Sequence, residues 1–340
     1  MFYKLTALSI QELGKRSNQE DSLYPPFSRK PLDGSLYILC DGMGGHAAGE
    51  VASGTVCETM SRYIAEHPRD DGFFDESDFD AALNAAFDAL DEKDTDDEKK
   101  MGTTLTFVKF HAGGCFMAYI GDSRIYHIRP SEHRILHVTQ DHSLVNDLVK
   151  LGELTPEEAR TSRQKNIITR AVQPHQERRA RADCKNVTDL RVGDYFFLCS
   201  DGMLEQAGDD EILNILSLKR PDADKIEILR GATKDNNDNH SAYLIRVVDA
   251  SDDNLGKKWM WTIIPVVMMA VVVSIPESRQ FIKECFSSKR VETPDSKQIQ
   301  ETAPAPSDGK DTDSLTIKKD TVHTETVADV CFVHKTPHFM

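Results

Sequence analysis

Three apolar segments of this chain each end at an aspartate. They cover residues 37–42, 117–122 and 196–202, and glycine follows the aspartate in the first and the third. Short runs of aromatic and branched residues indicate buried strands. Three carboxylates at the ends of distant strands suggest that these ends gather at one edge of a core. Such carboxylates repel one another unless a hard divalent cation with oxygen ligands neutralises them, so the pattern predicts a metal site.

The composition limits the class of protein. The 340 residues are enough for one large or two modest domains with a buried core. A formal net charge of -15 argues against nucleic acid as a partner, because phosphate backbones bind basic surfaces. Seven cysteines without a Cys-x-x-Cys pair argue against a disulfide framework or a zinc site and favour the reducing cytosol. The N-terminus lacks the apolar core of a signal peptide, so no export signal is expected.

Residues 1–250 are predicted to form one α/β unit. Helical spacing predicts helices over 47–64 and 79–90, and apolar runs predict strands over 104–110 and 115–119. The acidic stretch 91–98 is interpreted as a solvated loop. The polar segment 143–165 is predicted to be helical, with Thr155 as an N-cap before Pro156. Long insertions of this kind often form lids over a site.

The composition changes sharply after residue 253. Residues 251–258 are predicted to be a linker, and 259–275 form an apolar run of about 17 residues, the short limit for a membrane-spanning helix. Lys257, Lys258 and Trp259 precede or open this run, as is typical of a membrane interface. The alternative is a buried core helix or strand pair. Residues 276–340 are rich in Thr, Ser, Asp, Lys and Pro and are predicted to be a disordered tail.

Several short polar motifs accompany the three strand ends. In chain order they are 14–22 (GKRSNQEDS), 41–46 (DGMGGH), 102–105 (GTTL), 120–124 (IGDSR), 139–143 (TQDHS), 166–170 (NIITR), 200–202 (SDG) and 238–241 (DNHS). This ordered series resembles the bacterial form of the metal-dependent PPM family of protein serine/threonine phosphatases, the PP2C type. The resemblance covers nearly all of residues 1–250. It implies an α/β sandwich of two packed antiparallel sheets flanked by helices, with the metal site at one end.

The resemblance also implies which residues hold metal. Asp41 would bridge two ions and Gly42 would contribute its carbonyl to the first, whereas Asp201 and Asp238 would hold the second. Asp122 matches a residue that helps to hold a third, weaker metal in bacterial relatives. Oxygen-only ligands favour Mn²⁺ or Mg²⁺ over zinc. Two such ions about 4 Å apart can activate a water and neutralise the charge that develops on a phosphoryl group.

Three further residues are predicted to act directly in catalysis. In the family pattern Glu20 and Asp21 hydrogen-bond to waters on the metals and orient the nucleophile. Arg16 matches the arginine that grips the substrate phosphate, a task that suits a planar guanidinium because it meets two phosphate oxygens at once. For Arg16 the alternative is a surface ion pair, and for any single aspartate it is a capping residue in a loop.

Other polar residues of the motifs are not predicted to bind metal or substrate. Thr103 and Thr104 are expected to satisfy backbone groups behind the site, and His142 is expected to be structural. Met43 stands where many eukaryotic relatives have a histidine proposed as the general acid. His46 and a water on a metal are then equal alternatives for that role.

The leading functional prediction is a metal-dependent phosphatase of phosphoserine and phosphothreonine proteins that opposes a serine/threonine kinase. Its partners would be phosphorylated proteins, among them a kinase and its substrates. The alternatives are a non-catalytic phosphoprotein-binding module and an antagonist of a single regulatory phosphoprotein in a partner-switching system. The expected location is the inner membrane, with one span and a cytoplasmic catalytic domain, or the cytoplasm if the span is not inserted.

Overall fold

Two antiparallel sheets packed face to face form the centre of the described part of the chain, and helices cover both outer faces. The computed structural model describes residues 2–44, 47–94 and 101–251. The predicted sandwich of two antiparallel sheets flanked by helices is confirmed.

Each strand pairs only with antiparallel neighbours in the described residues. One sheet has the order β1-β11-β10-β7-β8, and the other has the order β2-β3-β5-β6-β9 with β4 beside β3. The strands are β1 (Phe2–Glu12), β2 (Asp21–Tyr24), β3 (Leu36–Met43), β4 (Gly102–Thr103), β5 (Leu105–His111), β6 (Gly114–Ile120), β7 (Arg124–Arg129), β8 (Arg134–Val138), β9 (Asp183–Val187), β10 (Tyr195–Cys199) and β11 (His240–Ser251).

The central strands are apolar on both faces because each sheet is covered on both sides. Along β3, Tyr37 and Leu39 pack between the two sheets, whereas Ile38 and Cys40 pack against helices. Strand β10 alternates in the same way, with Phe196 between the sheets. Successive side chains of a strand point to opposite faces, so a continuous apolar run serves two cores at once. This explains why these segments lack an alternating polar pattern.

The helices form the two outer layers and the segment beside the site. Helices α1 and α2 cover the sheet that contains β3, and α5, α6 and α7 cover the other sheet. Their bounds are α1 (Ala47–Glu66), α2 (Glu76–Lys93), α3 (Leu144–Lys150), α4 (Pro156–Thr161), α5 (Asp201–Gln206), α6 (Asp209–Leu216) and α7 (Asp222–Thr233), with a short 3-10 turn at Pro130–Glu132.

Helix α2 is longer at both ends than its sequence predicted. It begins with a capping box in which the Asp75 carboxylate accepts from the Asp78 N–H and the Asp78 carboxylate accepts from the Asp75 N–H. It ends at Lys93, so the prediction of a solvated loop over 91–98 was wrong for the first three residues. Asp91 lies in the last turn of α2 and pairs at 3.1 Å with Arg179, which belongs to a distant segment of the chain.

The predicted helix start at Thr155 is confirmed. Its side chain accepts a hydrogen bond from the Glu158 N–H at 3.2 Å, and the Glu158 carboxylate accepts from the Thr155 N–H at 2.8 Å. Such a cap stabilises a helix by about 1 kcal/mol. Helices α3 and α4 together form most of the predicted helical segment 143–165.

The described part of the chain ends within the first sheet. Strand β11 continues to Ser251, so the first residue of the predicted linker belongs to the sheet. The rest of that linker, the predicted membrane span 259–275 and the predicted tail 276–340 lie outside the described residues. Within the part of the chain that the structure describes, no helix is long and apolar enough to cross a membrane.

Candidate active site

The acidic residues predicted for the site come together at one end of the sandwich. Asp21 and Asp41 are opposite each other in the register of β2 and β3. Asp122 follows β6, Asp201 opens α5 just after β10, and Asp238 lies just before β11. These strand ends belong to both sheets, and the antiparallel pairings place them at the same edge. The convergence that the three strand-end aspartates suggested is therefore present.

The backbone of Asp41 is held by two threonines of the segment that follows α2. Thr104 Oγ1 accepts from the Asp41 N–H at 3.0 Å, and the Thr104 N–H donates to the Asp41 carbonyl at 2.9 Å. The Thr103 hydroxyl donates to the same carbonyl at 2.9 Å. Both threonines are fully buried. The prediction that they satisfy backbone groups behind the site is confirmed, and they fix the position from which the Asp41 carboxylate projects.

Gly42 allows helix α1 to approach the strand that carries Asp41. A Cβ at this position would lie 2.1 Å from the Gly49 carbonyl oxygen and 2.7 Å from the Glu20 carbonyl oxygen. The Gly42 N–H also donates to the Glu20 carbonyl at 3.1 Å. The close approach that glycine permits here therefore involves the backbones of α1 and the segment before β2. The predicted role of the Gly42 carbonyl as a metal ligand stays a prediction.

Asp21 connects the two sheets at the site. Its Oδ2 accepts from the Ser200 hydroxyl at 3.0 Å, and the Ser200 Oγ in turn accepts from the Ser241 N–H at 3.0 Å. Asp21 and Ser200 are both buried. Ser200 precedes the aspartate of the third strand end, so sequence position could have drawn attention to it, but its partner Asp21 is 179 residues away.

The carboxyl groups of the site disturb one another's protonation. Burial raises the pKa of Asp41 well above its usual range, and the charges of Asp21, Asp201, Asp122 and Asp238 raise it further. Burial likewise raises the pKa of Asp21 to about 7, that of Asp122 to about 7 and that of Asp201 to about 6. Carboxylates that are both desolvated and close together favour a bound cation, because it stabilises their ionised forms.

The donor set fits a hard divalent cation. Asp21 Oδ1 and Asp122 Oδ1 are buried and have no hydrogen-bond partner in the described residues, and a buried carboxylate oxygen without a partner is costly unless it binds a cation. Every candidate side-chain donor is an oxygen, which suits Mg²⁺ or Mn²⁺. No three acidic, histidine or cysteine side chains among the described residues already form a coordination group. The assignment of individual ligands therefore stays a prediction.

Arg16 lies at the exposed edge of this acidic group. Its Nη2 donates to Asp238 Oδ2 at 2.6 Å, and the two side chains are 53% and 30% exposed. The hydrogen bond to Asp238 raises the pKa of Arg16, and the charges of Glu20 and Asp41 contribute smaller increases. Glu20 itself accepts from the Asn18 side chain at 3.3 Å. The structure thus places Arg16 and Glu20, like the third predicted catalytic residue Asp21, beside the predicted metal ligands.

Asn239 is a residue of the site whose role was not predicted from the sequence. Its Oδ1 accepts from the Glu20 N–H at 2.8 Å, and its Nδ2 donates to the Leu13 and Asn18 carbonyls at 2.9 and 3.1 Å. Asn239 is 4% exposed, so these are buried contacts. They attach the segment that carries Arg16 and Glu20 to the start of β11. Its place directly after Asp238 was the available signal.

His142 is a histidine of the motifs that packs behind the site. His142 is buried, accepts from the Gly121 N–H at 3.1 Å through Nδ1 and contacts Asp183 through Nε2 at 3.2 Å. Burial lowers the pKa of His142 although Asp183 opposes the shift. The predicted structural role of His142 is confirmed. Met43 ends strand β3, and His46 lies outside the described residues.

A cavity of about 900 Å³ opens beside Asp122 and Asp201. Val145 and Pro156 from the segment that contains α3 and α4 lie on one side, and Glu205 from α5 lies on another. The segment predicted as a lid therefore borders the candidate site. The cavity is large enough for several side chains of a bound peptide.

Comparison with known proteins identifies the family. Residues 13–233 match the profile of the family described as Protein phosphatase 2C. The chain belongs to this family. The matched range contains every predicted site residue except Asp238, which lies five residues beyond it.

Relatives and solved structures agree with this assignment. The protein phosphatase PhpP of Streptococcus pneumoniae is 37% identical over 216 residues, which are 63% of this chain and 85% of that protein. The serine/threonine protein phosphatase PstP of Mycobacterium tuberculosis is 37% identical over 206 residues, which are 60% of this chain and only 37% of PstP. A structure of the PstP catalytic domain with two manganese ions has a TM-score of 0.59 at 31% identity and covers 73% of this chain and all of that one. The predicted family resemblance is confirmed.

Proposed function

We propose that this chain hydrolyses phosphoserine and phosphothreonine in proteins with the help of two Mn²⁺ or Mg²⁺ ions. The observation that supports this function is the group of desolvated aspartates at one end of the sandwich, which raise one another's pKa. The PstP catalytic domain with two manganese ions supports the choice of cofactor. The relative PstP, which is named a serine/threonine protein phosphatase, supports the substrate class.

The residues divide into those that would hold metal and those that would handle substrate. Asp41, Gly42, Asp201 and Asp238 are proposed to hold two divalent ions, and Asp122 a third, weaker one. When bound, such ions activate a water and neutralise the charge that develops on the phosphoryl group. Glu20 and Asp21 would orient the attacking water, because both lie next to Asp41 in the fold.

The substrate would approach from the side of Arg16 and the cavity. The half-exposed guanidinium of Arg16 can reach a phosphate, and a charge-assisted contact of this kind contributes about 1.5–3 kcal/mol. The cavity beside Asp122 and Asp201 would receive residues that flank the phosphorylated side chain. A kinase and its phosphorylated substrates are the proposed partners.

The test is turnover of p-nitrophenyl phosphate and a phosphothreonine peptide by the purified chain. We expect activity with Mn²⁺ or Mg²⁺ and none in excess EDTA. Asp41→Asn and Asp238→Asn should each lower the turnover rate at least about a hundredfold. Mutation of residues that only support a metal ligand already lowers metal affinity or activity by about 10- to 100-fold, and loss of a ligand itself should cost more. Asp235→Asn is the matched control, because Asp235 is exposed in the same loop as Asp238 and should retain activity.

The same assay tests the alternative functions. A non-catalytic phosphoprotein-binding module would bind the phosphothreonine peptide without releasing phosphate at any metal concentration. An antagonist of one regulatory phosphoprotein would act on that protein while leaving unrelated phosphopeptides unchanged. Hydrolysis of several unrelated phosphopeptides in EDTA would contradict the proposed metal dependence.

We also propose that residues 1–250 form the catalytic domain at the cytoplasmic face of the inner membrane. Residues 259–275 would be the single span, after a linker, and the polar tail 276–340 would follow it. Two lysines, Lys257 and Lys258, precede the run and four basic residues follow it, so their count alone would place the tail inside. The proposed orientation overrules that count, because phosphoprotein substrates and the divalent metal supply are cytosolic. Protease applied to spheroplasts should remove a C-terminal tag and spare an N-terminal one. Recovery of the whole protein in the soluble fraction without detergent would contradict the anchor.

A further inference from the structure

Asp238 uses both carboxylate oxygens in contacts within the protein. Its Oδ1 accepts from the Asn239 N–H at 2.8 Å, and its Oδ2 accepts from Arg16 at 2.6 Å. In the described residues Asp238 is the only carboxylate that forms an ion pair with Arg16. The residue predicted to grip the substrate phosphate is therefore paired with a residue predicted to hold metal.

The backbone around Arg16 is held against the same segment. A Cβ at Gly14 would lie 2.2 Å from the Asp238 carbonyl oxygen, and Gly14 has a φ of +59°, so this position requires glycine. Asn239 donates to the carbonyls of Leu13 and Asn18, one on each side of Arg16. Because the backbone is held at both ends while the Arg16 side chain is half exposed, the guanidinium can turn without moving the loop.

We propose that Arg16 competes with divalent metal for Asp238, so that metal and substrate phosphate bind cooperatively. This inference rests on the function proposed above. A cation that binds Asp238 must displace or repel the guanidinium, which then becomes available to a phosphate. A phosphate that attracts Arg16 conversely leaves Asp238 free for metal. Thermodynamic reciprocity requires that each of the two ligands strengthens the binding of the other by the same factor.

The effect of Arg16 on metal binding consequently depends on phosphate. Without phosphate Arg16 weakens metal binding, because its positive charge already neutralises Asp238. With phosphate this weakening is relieved, because the guanidinium pairs with the phosphate instead of Asp238. A residue that only gripped phosphate would leave metal affinity unchanged when phosphate is absent, so metal binding without substrate separates the two roles.

The experiment measures Mn²⁺ binding to the full chain, as the free Mn²⁺ signal in electron paramagnetic resonance, with and without inorganic phosphate. Without phosphate, Arg16→Ala and Arg16→Gln should bind Mn²⁺ about twofold to fivefold more tightly than wild type, the range expected for a partly exposed ion pair. Inorganic phosphate should raise the Mn²⁺ affinity of wild type more than that of either variant. Neither measurement requires turnover.

Lys15→Ala is the matched control. Lys15 is the neighbouring exposed cation, and its Nζ contacts Asn237 at 3.0 Å and no carboxylate in the described residues. Its removal should leave Mn²⁺ affinity unchanged. In an Asp238→Asn background, Arg16→Ala should no longer tighten Mn²⁺ binding.

Each contrary result has one meaning. Unchanged or weaker Mn²⁺ binding by both Arg16 variants would overturn the competition. Equal tightening by Lys15→Ala would show a general charge effect and would also overturn it. An equal effect of phosphate on wild type and both variants would refute the cooperative part. If wild type binds no Mn²⁺, the proposed metal-dependent function fails and this inference fails with it, whereas the other results leave that function intact.

Discussion

Replacement of Gly42 by alanine should damage both the stability and the activity of this protein. The new Cβ would lie 2.1 Å from the Gly49 carbonyl oxygen and 2.7 Å from that of Glu20, both of them backbone atoms that no side-chain rotation can move away. Helix α1 must therefore separate from β3 by more than about 1 Å to restore an ordinary contact. Overpacking of this kind costs about 1–3 kcal/mol, and we expect the upper end because backbone has to move.

The measurements are thermal unfolding and turnover of p-nitrophenyl phosphate. A loss of about 3 kcal/mol should lower Tm by about 6–12 °C in a domain of this size. Displacement of the neighbouring Asp41 and Glu20 by about 1 Å should reduce kcat/KM by about a hundredfold. Gly231→Ala is the control, since Gly231 lies in helix α7 with nothing within 4 Å of its Cβ position. It should raise Tm slightly, because alanine favours a helix by about 1 kcal/mol over glycine.

An unchanged Tm and unchanged turnover in Gly42→Ala would refute the close approach of α1 to β3. A lower Tm with full activity would show that the strand end carrying Asp41 does not depend on this contact. A similar loss of Tm in Gly231→Ala would indicate that alanine at any glycine is harmful, and the effect at Gly42 would then have no special cause.

Two further predictions concern other buried polar contacts. Asn239→Ala should lower the free energy of unfolding by about 3 kcal/mol in urea titrations, because three hydrogen bonds are lost at about 1 kcal/mol each. An unchanged urea midpoint would show that these three hydrogen bonds do not stabilise the fold. Asp194 is buried, and although burial acts to raise its pKa, hydrogen bonds from Arg129 and His127 lower it to about 2. Because the folded pKa lies below the unfolded value, Asp194 stabilises the fold by about 2 kcal/mol above pH 4 and loses this contribution as pH falls towards 2. Urea unfolding of wild type and Asp194→Asn should therefore give a difference in the free energy of unfolding that becomes smaller from pH 6 to pH 3. A difference that stays constant over this range would contradict the lowered pKa of Asp194.

The sequence by itself determined the elements and the chemical character of the site. Apolar runs such as 37–40 and 196–199 predicted buried strands because branched and aromatic residues suit a pleated, covered surface. The aspartate at the end of each run predicted a site of oxygen donors, and the order of the motifs predicted the family. Thr155 predicted a helix start, since capping depends only on residues a few positions apart. These features are local, and local features are visible along the chain.

Only the tertiary structure decided which distant residues contact one another. Arg16 pairs with Asp238 across 222 positions, and Ser200 reaches Asp21 across 179. The three contacts of Asn239 and the ion pair of Arg179 with Asp91 likewise join segments that are far apart in the chain. Composition and spacing along the chain do not predict these long-range contacts, because the partner of a side chain depends on the register and packing of both sheets. The carboxylates could be recognised from the sequence, but their mutual effect on pKa and the pairing of Arg16 arise from the way the fold brings them together.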